Sequence, residues 1–181
     1  MTILVVGDIV TDIVAVHSGA FTVGSDTPAT ITVAGGGSGA NTAAWLASLG
    51  VAVELVGAVG SDPAGPERVA ELVAAGVGCV HVRRTSGRTG TVIVLAHPSE
   101  RSMINDRGAN LLLQPSDVDL ALSSVAPRHV HVSGYTLLDP ASRPAGLRAL
   151  AYAGGTRSVD VNSAGPLRSA GPSTVLEWVR G

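Results

Sequence analysis

The sequence Ala-Gly-Gly-Gly-Ser-Gly-Ala-Asn at residues 34–41 follows a β-branched run, residues 30–33, and precedes an alanine- and leucine-rich segment that ends at Gly50. This order predicts a strand, a tight glycine turn and a helix over residues 39–49. Glycine has no Cβ, so the turn can adopt positive φ and let a ligand approach the main chain. The turn could equally serve only to pack the helix against a sheet.

The start of this helix offers polar groups to a ligand. Ser38 is placed to cap the helix, and we expect its first N–H groups to remain free. Asn41, in the first turn, carries two N–H donors and an acceptor carbonyl. These groups suit a polyhydroxylated ligand, because each hydroxyl both donates and accepts a hydrogen bond.

Length and composition limit the class of protein. The 181 residues suffice for about one domain with its own core. All 12 basic residues are arginine and the net charge is −2, so a nucleic-acid-binding surface is not expected. Cys79 is the single cysteine, which excludes an internal disulfide and favours the cytoplasm. The N-terminus lacks the pattern of a signal peptide, and the glycines within the uncharged residues 27–53 argue against a membrane span.

Strand and helix patterns alternate along the chain. This alternation predicts an α/β fold, a doubly wound, mostly parallel sheet flanked by helices. The β-rich hairpin at about residues 90–105 has no helix beside it. It therefore predicts a small separate sheet, shared with the β-rich segments at about residues 9–17 and 28–34 and inserted into one domain, residues 1–181. The remaining predicted strands are residues 3–6, 51–56, 77–82, 129–133 and 158–161, and the remaining predicted helices are residues 62–76, 116–124, 141–153 and 173–179.

Few residues carry a catalytic or metal-binding pattern by themselves. Asp12 lies inside an apolar strand, where an ionised carboxylate needs partners, so it either binds a ligand or faces water at an edge. His129 and His131 share one face of a strand, but the spacing places no third metal ligand, so no metal site is predicted. A Gly-Lys phosphate-binding loop is excluded because the chain has no lysine.

Six motifs occur in order along the chain: Val-Gly-Asp at residues 6–8 with Asp12, the glycine turn through Asn41, Val-Gly-x-Val-Gly-x-Asp-x-x-Gly at 56–65, Gly-Ala-Asn at 108–110, Val-Ser-Gly-Tyr at 132–135 and Asp-Val-Asn at 160–162. Together they resemble the ribokinase-like (PfkB) carbohydrate kinases. The resemblance covers essentially the whole chain and implies a ribokinase-like, Rossmann-like fold in which the small β-sheet is a lid. It also implies transfer of phosphate from ATP, with Mg²⁺, to a hydroxyl of a sugar or related small molecule.

The resemblance also indicates the substrate site. Asp12, on the first lid strand, would accept hydrogen bonds from ligand hydroxyls, and Arg107 resembles an arginine of the family's acid-sugar kinases. Ser38 stands where ribokinases carry lysine, so specificity for ribose is not expected. Asp160 and Asn162 follow a strand at its carboxyl end, the ligand side of such sheets. The predicted substrate-binding residues are therefore Asp12, Gly36, Gly37, Asn41, Arg107 and Asn162.

One motif of the family is absent from the sequence. A Gly-Ala-Gly-Asp motif, which holds the family's catalytic base and a phosphate-stabilising helix start, does not occur. We therefore expect an incomplete domain that supplies the sugar-binding half and the lid, without catalytic residues. ATP and Mg²⁺ would act in the complete family member and would not bind this chain alone. The expected partner is a sugar-like molecule, with no nucleic acid and no membrane, and a homodimer through the lid remains open.

Two other interpretations remain. The chain could be a half-length protein that binds a sugar or a partner without catalysis. It could also be a dinucleotide-binding oxidoreductase, because Gly35-x-Gly37-x-x-Ala40 fits the glycine fingerprint and Glu54 lies 19 residues beyond Gly35. Against the oxidoreductase, the turn follows the third predicted strand rather than the first, and Glu54 lies in the middle of a strand.

Overall fold

A computed structural model describes residues 2–97 and 100–180. Seventeen helices and strands are named within these residues. In chain order they are β1 Thr2–Val6, β2 Val10–Val16, β3 Thr30–Gly36, α1 Ser38–Ser48, β4 Ala52–Gly60, α2 Ala64–Ala74, β5 Val82–Thr85, β6 Gly90–His97, β7 Glu100–Asp106, a 3₁₀ helix Gly108–Leu112, α3 Pro115–Val125, β8 His129–Ser133, α4 Tyr135–Leu138, α5 Arg143–Leu150, β9 Thr156–Asp160, α6 Ala164–Ala170 and α7 Pro172–Val179.

The central sheet has five parallel strands in the spatial order β5-β4-β1-β8-β9. β1 lies in the middle and is apolar on both faces, because helices cover both sides of such a sheet. Leu4 and Val6 pack on one face against α3 and α5, whereas Val5 packs on the other face against α1 and α2. The predicted doubly wound α/β fold is therefore confirmed.

The second sheet has four strands in the order β3-β2-β6-β7. β2 pairs antiparallel with β3 and parallel with β6, and β6 pairs antiparallel with β7. The β-rich segments thus form a separate small sheet, as predicted. Its register aligns Asp12 with Ala34, Val92 and Asn105 in one cross-strand row. The next row, Ile13 with Val33, Ile93 and Ile104, faces the opposite side of the sheet.

Most predicted elements differ from the structure by a few residues at their ends, and one predicted strand is absent. The predicted strand at residues 77–82 is wrong, since β5 begins only at Val82 and a single bridge joins Gly78 to Glu54. The apolar Val77, which suggested a strand, is instead buried in the turn after α2. Its N–H donates there to the carbonyl of Leu72 at 3.0 Å. The helix predicted at residues 141–153 is shorter, Arg143–Leu150. In the described part of the chain, no helix is long and apolar enough to cross a membrane.

Candidate functional site

A cavity of about 730 Å³ lies between the small sheet and the carboxyl ends of β1, β8 and β9. Asp8 follows β1, Tyr135 follows β8 at the start of α4, and Asp160 ends β9. Ligand sites of open α/β sheets lie at this edge. The small sheet contributes the opposite wall through side chains that point to one face, namely Val10, Asp12, Val92, Val94, Arg101, Met103 and Asn105.

Five of the six predicted binding residues line this one cavity: Asp12, Gly37, Asn41, Arg107 and Asn162. The sixth, Gly36, lies behind Asp12 rather than on the cavity surface. A Cβ built on Gly36 would overlap the Asp12 carboxylate. The missing side chain of Gly36 therefore leaves the room in which the Asp12 carboxylate sits.

The Asp12 carboxylate occupies an environment that disfavours its charge. Its pKa is raised above the ordinary value, first because it is partly buried and second because the Asp8 carboxylate is near. None of the residues 2–97 and 100–180 donates a hydrogen bond to it. Asp12 thus presents an unused acceptor to the cavity.

The first N–H groups of α1 are not free, so this expectation is wrong. The Asp8 carboxylate accepts the N–H of Ser38 at 3.1 Å and the N–H of Gly39 at 3.3 Å. It also accepts the hydroxyl of Ser133 at 2.9 Å. A buried carboxylate is favourable here because the N-terminus of a helix carries partial positive charge. Asp8 therefore fixes the start of α1 to the ends of β1 and β8.

Ser38 does not cap α1, although its residue type is suited to that position. Gly37 is the N-cap residue, and its φ of 105° favours glycine. Since glycine has no side chain, the N-cap residue makes no side-chain hydrogen bond to the helix. The Ser38 hydroxyl instead donates to the Asp160 carboxylate at 3.3 Å. Asn41 is exposed in the first turn, where its main-chain N–H donates to the Gly37 carbonyl at 2.9 Å and its side chain has no hydrogen-bond partner among the described residues. Its side-chain amide is thus available to a ligand.

Arg107 joins the end of β7 to α4 across the cavity. Its Nη2 donates to the carbonyl of Tyr135 at 3.2 Å, and its guanidinium carbon lies 5.0 Å from the centre of the Tyr135 ring. A cation at this distance from an aromatic face is attracted to it. The contact holds the Arg107 side chain at the cavity wall.

Asn162 lies in a turn after β9 and has φ of 60°, a left-handed conformation that asparagine tolerates better than most residues. Its main-chain N–H donates to the Asp160 carboxylate and its Nδ2 to the Asp160 carbonyl, each at 3.0 Å. The Asn162 amide therefore shapes the turn that presents Asp160 to the cavity.

The Gly-Ala-Asn motif has a structural role beside the site. Asn110 is 4% exposed, and its Oδ1 accepts the N–H of Ile9 at 2.9 Å. Its Nδ2 donates to the carbonyls of Ile9 at 2.9 Å and Arg107 at 3.0 Å. This side chain joins the link between β1 and β2 to the turn that carries Arg107.

Sequence reasoning missed several residues of the cavity. Asp8 and Tyr135 belong to two of the six motifs, but the sequence assigns them no role. Asp160 is not among the predicted substrate-binding residues. Arg101, Met103 and Asn105 were missed entirely, although their spacing of two along β7 indicates a shared face. The alternation of residues along β7 therefore indicates which side chains share a face. It does not indicate which of the two faces lies over a cavity.

The described residues contain no group of three or more His, Cys, Asp or Glu side chains that could hold a metal ion. His129 and His131 do share a face, and both bond the hydroxyl of Ser158 at 2.8 Å. Burial lowers the pKa of His131, and nearby His129 adds to this shift while Asp160 opposes it.

The family model for the pfkB family carbohydrate kinases matches residues 2–178. The chain belongs to this family. No curated protein matches the sequence. Family membership and the placement of the glycine turn after β3, in the small sheet, leave the dinucleotide-binding alternative without support.

Solved structures of sugar kinases have the same fold as this pfkB chain. A fructokinase with bound ATP from Xylella fastidiosa is 28% identical, with a TM-score of 0.79 over 98% of this chain and 57% of that protein. An uncharacterized sugar kinase from Pyrococcus horikoshii is 21% identical, with a TM-score of 0.84 over 99% and 59%. A ribokinase from Giardia lamblia is 26% identical, with a TM-score of 0.66 over 73% and 42%. The chain therefore spans less than two thirds of the length of these kinases.

Proposed function

We propose that this chain is the substrate-binding half and lid of an ATP-dependent kinase that phosphorylates a hydroxyl of a sugar or a related polyol. The observation that carries the proposal is that Asp12 and Asn41, whose side chains have no hydrogen-bond partner among the described residues, line one cavity. A carboxylate and an amide together accept from and donate to ligand hydroxyls. Family membership supplies the reaction class.

Different walls of the cavity would bind different parts of the sugar. Asp12 and Asn41 would bind hydroxyls, while Val92, Val94 and Met103 on the small sheet offer an apolar surface to the carbon skeleton. The small sheet would act as a lid that excludes water and orients the accepting hydroxyl. ATP with Mg²⁺ supplies the phosphoryl group in the complete kinase. This chain's own part would be to bind and orient the sugar.

The catalytic base and the nucleotide site would not come from these residues. Phosphoryl transfer depends on positioned charge, and the 181 residues contain no Gly-Ala-Gly-Asp motif to provide it. We therefore propose that the chain by itself binds a sugar but does not turn over ATP. The cytoplasmic location stays a prediction.

Calorimetry of the chain with a panel of sugars that includes D-fructose and D-ribose tests this proposal. We expect at least one sugar to bind, Asp12→Asn to remove the binding, and Asp26→Asn, an exposed loop substitution, to leave it unchanged. A coupled ATPase assay should show no turnover. Failure of every sugar to bind, or ATP hydrolysis by the chain, would contradict the proposal. Sequencing the gene beyond codon 181 for a Gly-Ala-Gly-Asp motif distinguishes a kinase half from a half-length binding protein.

The outer face of the small sheet supports a homodimer through the lid. Ile31 and Val33 on β3 are 64% and 63% exposed, and Ile104 on β7 is 60% exposed. These side chains belong to the face opposite Asp12. Ile93, 38% exposed on β6, lies in the same row between Val33 and Ile104, and an exposed apolar sheet face of this kind is typical of a protein–protein interface. We propose that a second copy of the chain covers them.

A further inference from the structure

A second cavity, of about 150 Å³, lies behind the glycine turn, between α1, α2 and the end of β3. Its walls are mostly apolar, with Ile9, Ala44 and Leu72 among them. The polar side chains at its surface are Asn41, Arg68 and Glu71. A volume on the order of 150 Å³ holds a ligand of roughly benzene size, so an occupant would be a small molecule.

Arg68 is a buried cation with too few acceptors. It is 3% exposed, and its Nη2 is 2.9 Å from a carboxylate oxygen of Glu67 and 2.9 Å from one of Glu71. Its Nε and Nη1 are buried without a hydrogen-bond partner in the described part of the chain. Buried charged donors are normally paired, because leaving them unpaired is unfavourable. Two of the three guanidinium nitrogens of Arg68 therefore lack an acceptor oxygen.

We propose that the small cavity binds a short aliphatic carboxylate on Arg68, beside the sugar site. A guanidinium pairs best with a carboxylate, and the apolar walls suit a chain of a few carbons. Glu71 lines the same cavity and opposes an anion, but its side chain is 48% exposed and can turn towards water. Glu67, the other carboxylate on Arg68, is 64% exposed and can do the same, whereas Arg68 is 3% exposed.

The small cavity shares residues with the proposed sugar site. Asn41 lines both cavities, and Gly36, which lines the small one, supports the Asp12 carboxylate on its other side. A ligand in the small cavity would therefore contact Asn41 and Gly36 on the side opposite the proposed sugar site. We expect it to change the affinity for sugar, and this part of the inference rests on the proposed function. Because coupling between two sites is reciprocal, sugar would change the affinity for the carboxylate equally.

NMR titration of the ¹⁵N-labelled chain without any sugar tests the binding site. The probes are sodium propionate, 1-propanol and propylammonium chloride at equal ionic strength, which have similar size and different charge. We expect propionate to shift the amide signals of Gly35, Gly36 and Asn41 saturably, and propanol to bind at least about tenfold more weakly. Propylammonium should bind weakest. No saturable shift with propionate, or propanol or propylammonium binding as tightly as propionate, would overturn the proposal.

Variants locate the binding to the cavity. Arg68→Gln should weaken propionate at least about tenfold, because it removes the charge. Since Arg68→Gln also changes a buried residue and could fail to fold, Ala44→Leu provides a second test by filling the cavity from α1 without altering Arg68. Ser48→Leu, exposed on the same helix and outside the cavity, is the matched control. Unchanged propionate binding by folded Ala44→Leu would exclude this cavity.

Sugar titrations with and without saturating propionate test the coupling. We expect the dissociation constant of the sugar to change at least about fivefold. An unchanged constant would overturn the coupling. Propionate binding is measured without sugar, so a failure of the small site and a failure of the proposed sugar site give different results.

Discussion

At the scale of single residues, the binding role proposed for Asp12 conflicts with its contribution to stability. Burial and the neighbouring Asp8 carboxylate raise its pKa, so its ionised form is less stable in the folded chain than in water. The raised pKa means that the folded state is stabilised by protonation as pH falls, and loses this stabilisation as pH rises through the pKa. Groups held in this way are often functional.

Asp12→Asn should therefore stabilise the chain at pH 7 while removing its affinity for sugar. The substitution takes away a disfavoured charge, so we expect a higher melting temperature than wild type at pH 7. The difference should shrink below about pH 4, where an ordinary carboxyl is protonated too. Sugar binding should weaken at least about tenfold, because a charged acceptor is lost. Thermal unfolding across this pH range and calorimetry measure both effects, with Asp26→Asn as control. A lower melting temperature at pH 7 would refute the argument.

Gly36→Ala should displace the Asp12 carboxylate without unfolding the chain. The added methyl group would occupy the space of that carboxylate, which can turn away because it is the end of a side chain. We expect a folded protein whose affinity for sugar falls at least about tenfold. Gly19→Ala is the matched control, since a Cβ at Gly19 has no atom within 4 Å. Calorimetry of both variants measures the effect. Wild-type affinity in Gly36→Ala would contradict the prediction that the added methyl group displaces the Asp12 carboxylate.

The sequence indicated Asp12 and Asn41 because each stands out locally, one inside an apolar strand and the other at a helix start. Asp8 could not be assigned in this way. The Ser38 N–H that it accepts is 30 residues away along the chain, and Ser133 is 125 residues away. Local patterns describe single elements, so a cap supplied from another strand is invisible to them.

At the scale of elements, the 3₁₀ helix fastens the base of the small sheet to the central sheet through Asn110. Asn110→Ala should lower the free energy of unfolding by about 2–3 kcal/mol, because it leaves buried main-chain groups of Ile9 unpaired. Urea denaturation measures this change. Asn105→Ala, exposed on β7, is the control and should change stability by less than about 0.5 kcal/mol. Equal effects of the two substitutions would contradict the role of Asn110.

Elements were predictable where burial on two faces leaves an apolar run, as in β1 and β8. They were less predictable where an apolar residue is buried outside a strand. Val77 is 3% exposed in the turn after α2, so its burial resembles that of a strand residue although its N–H closes a turn. A run of apolar residues indicates that a segment is buried. Burial alone does not distinguish a turn from a short strand.

At the scale of the whole molecule, the two faces of the small sheet meet different surroundings. The strand period of two sends Asp12, Val92 and Asn105 to the cavity and Val33 and Ile104 to the outer face. The sequence predicted the small sheet, but not which of its residues share a face. Which face would meet the cavity depends on how the strands between β1 and α1 turn back, and that follows from packing rather than from the pattern.

If the outer face joins two copies, Ile104→Glu should give a monomer that still binds sugar. A charge placed in a buried apolar interface is strongly unfavourable, whereas the neighbours of Ile104 that reach the cavity, Met103 and Asn105, are unchanged. Light scattering after size-exclusion chromatography should show a dimer for wild type and for Val73→Glu, an equally exposed position on α2. A monomeric wild type, or a dimeric Ile104→Glu, would exclude this face as the interface. A monomer that has also lost its affinity for sugar would instead show that the lid needs its partner to shape the cavity.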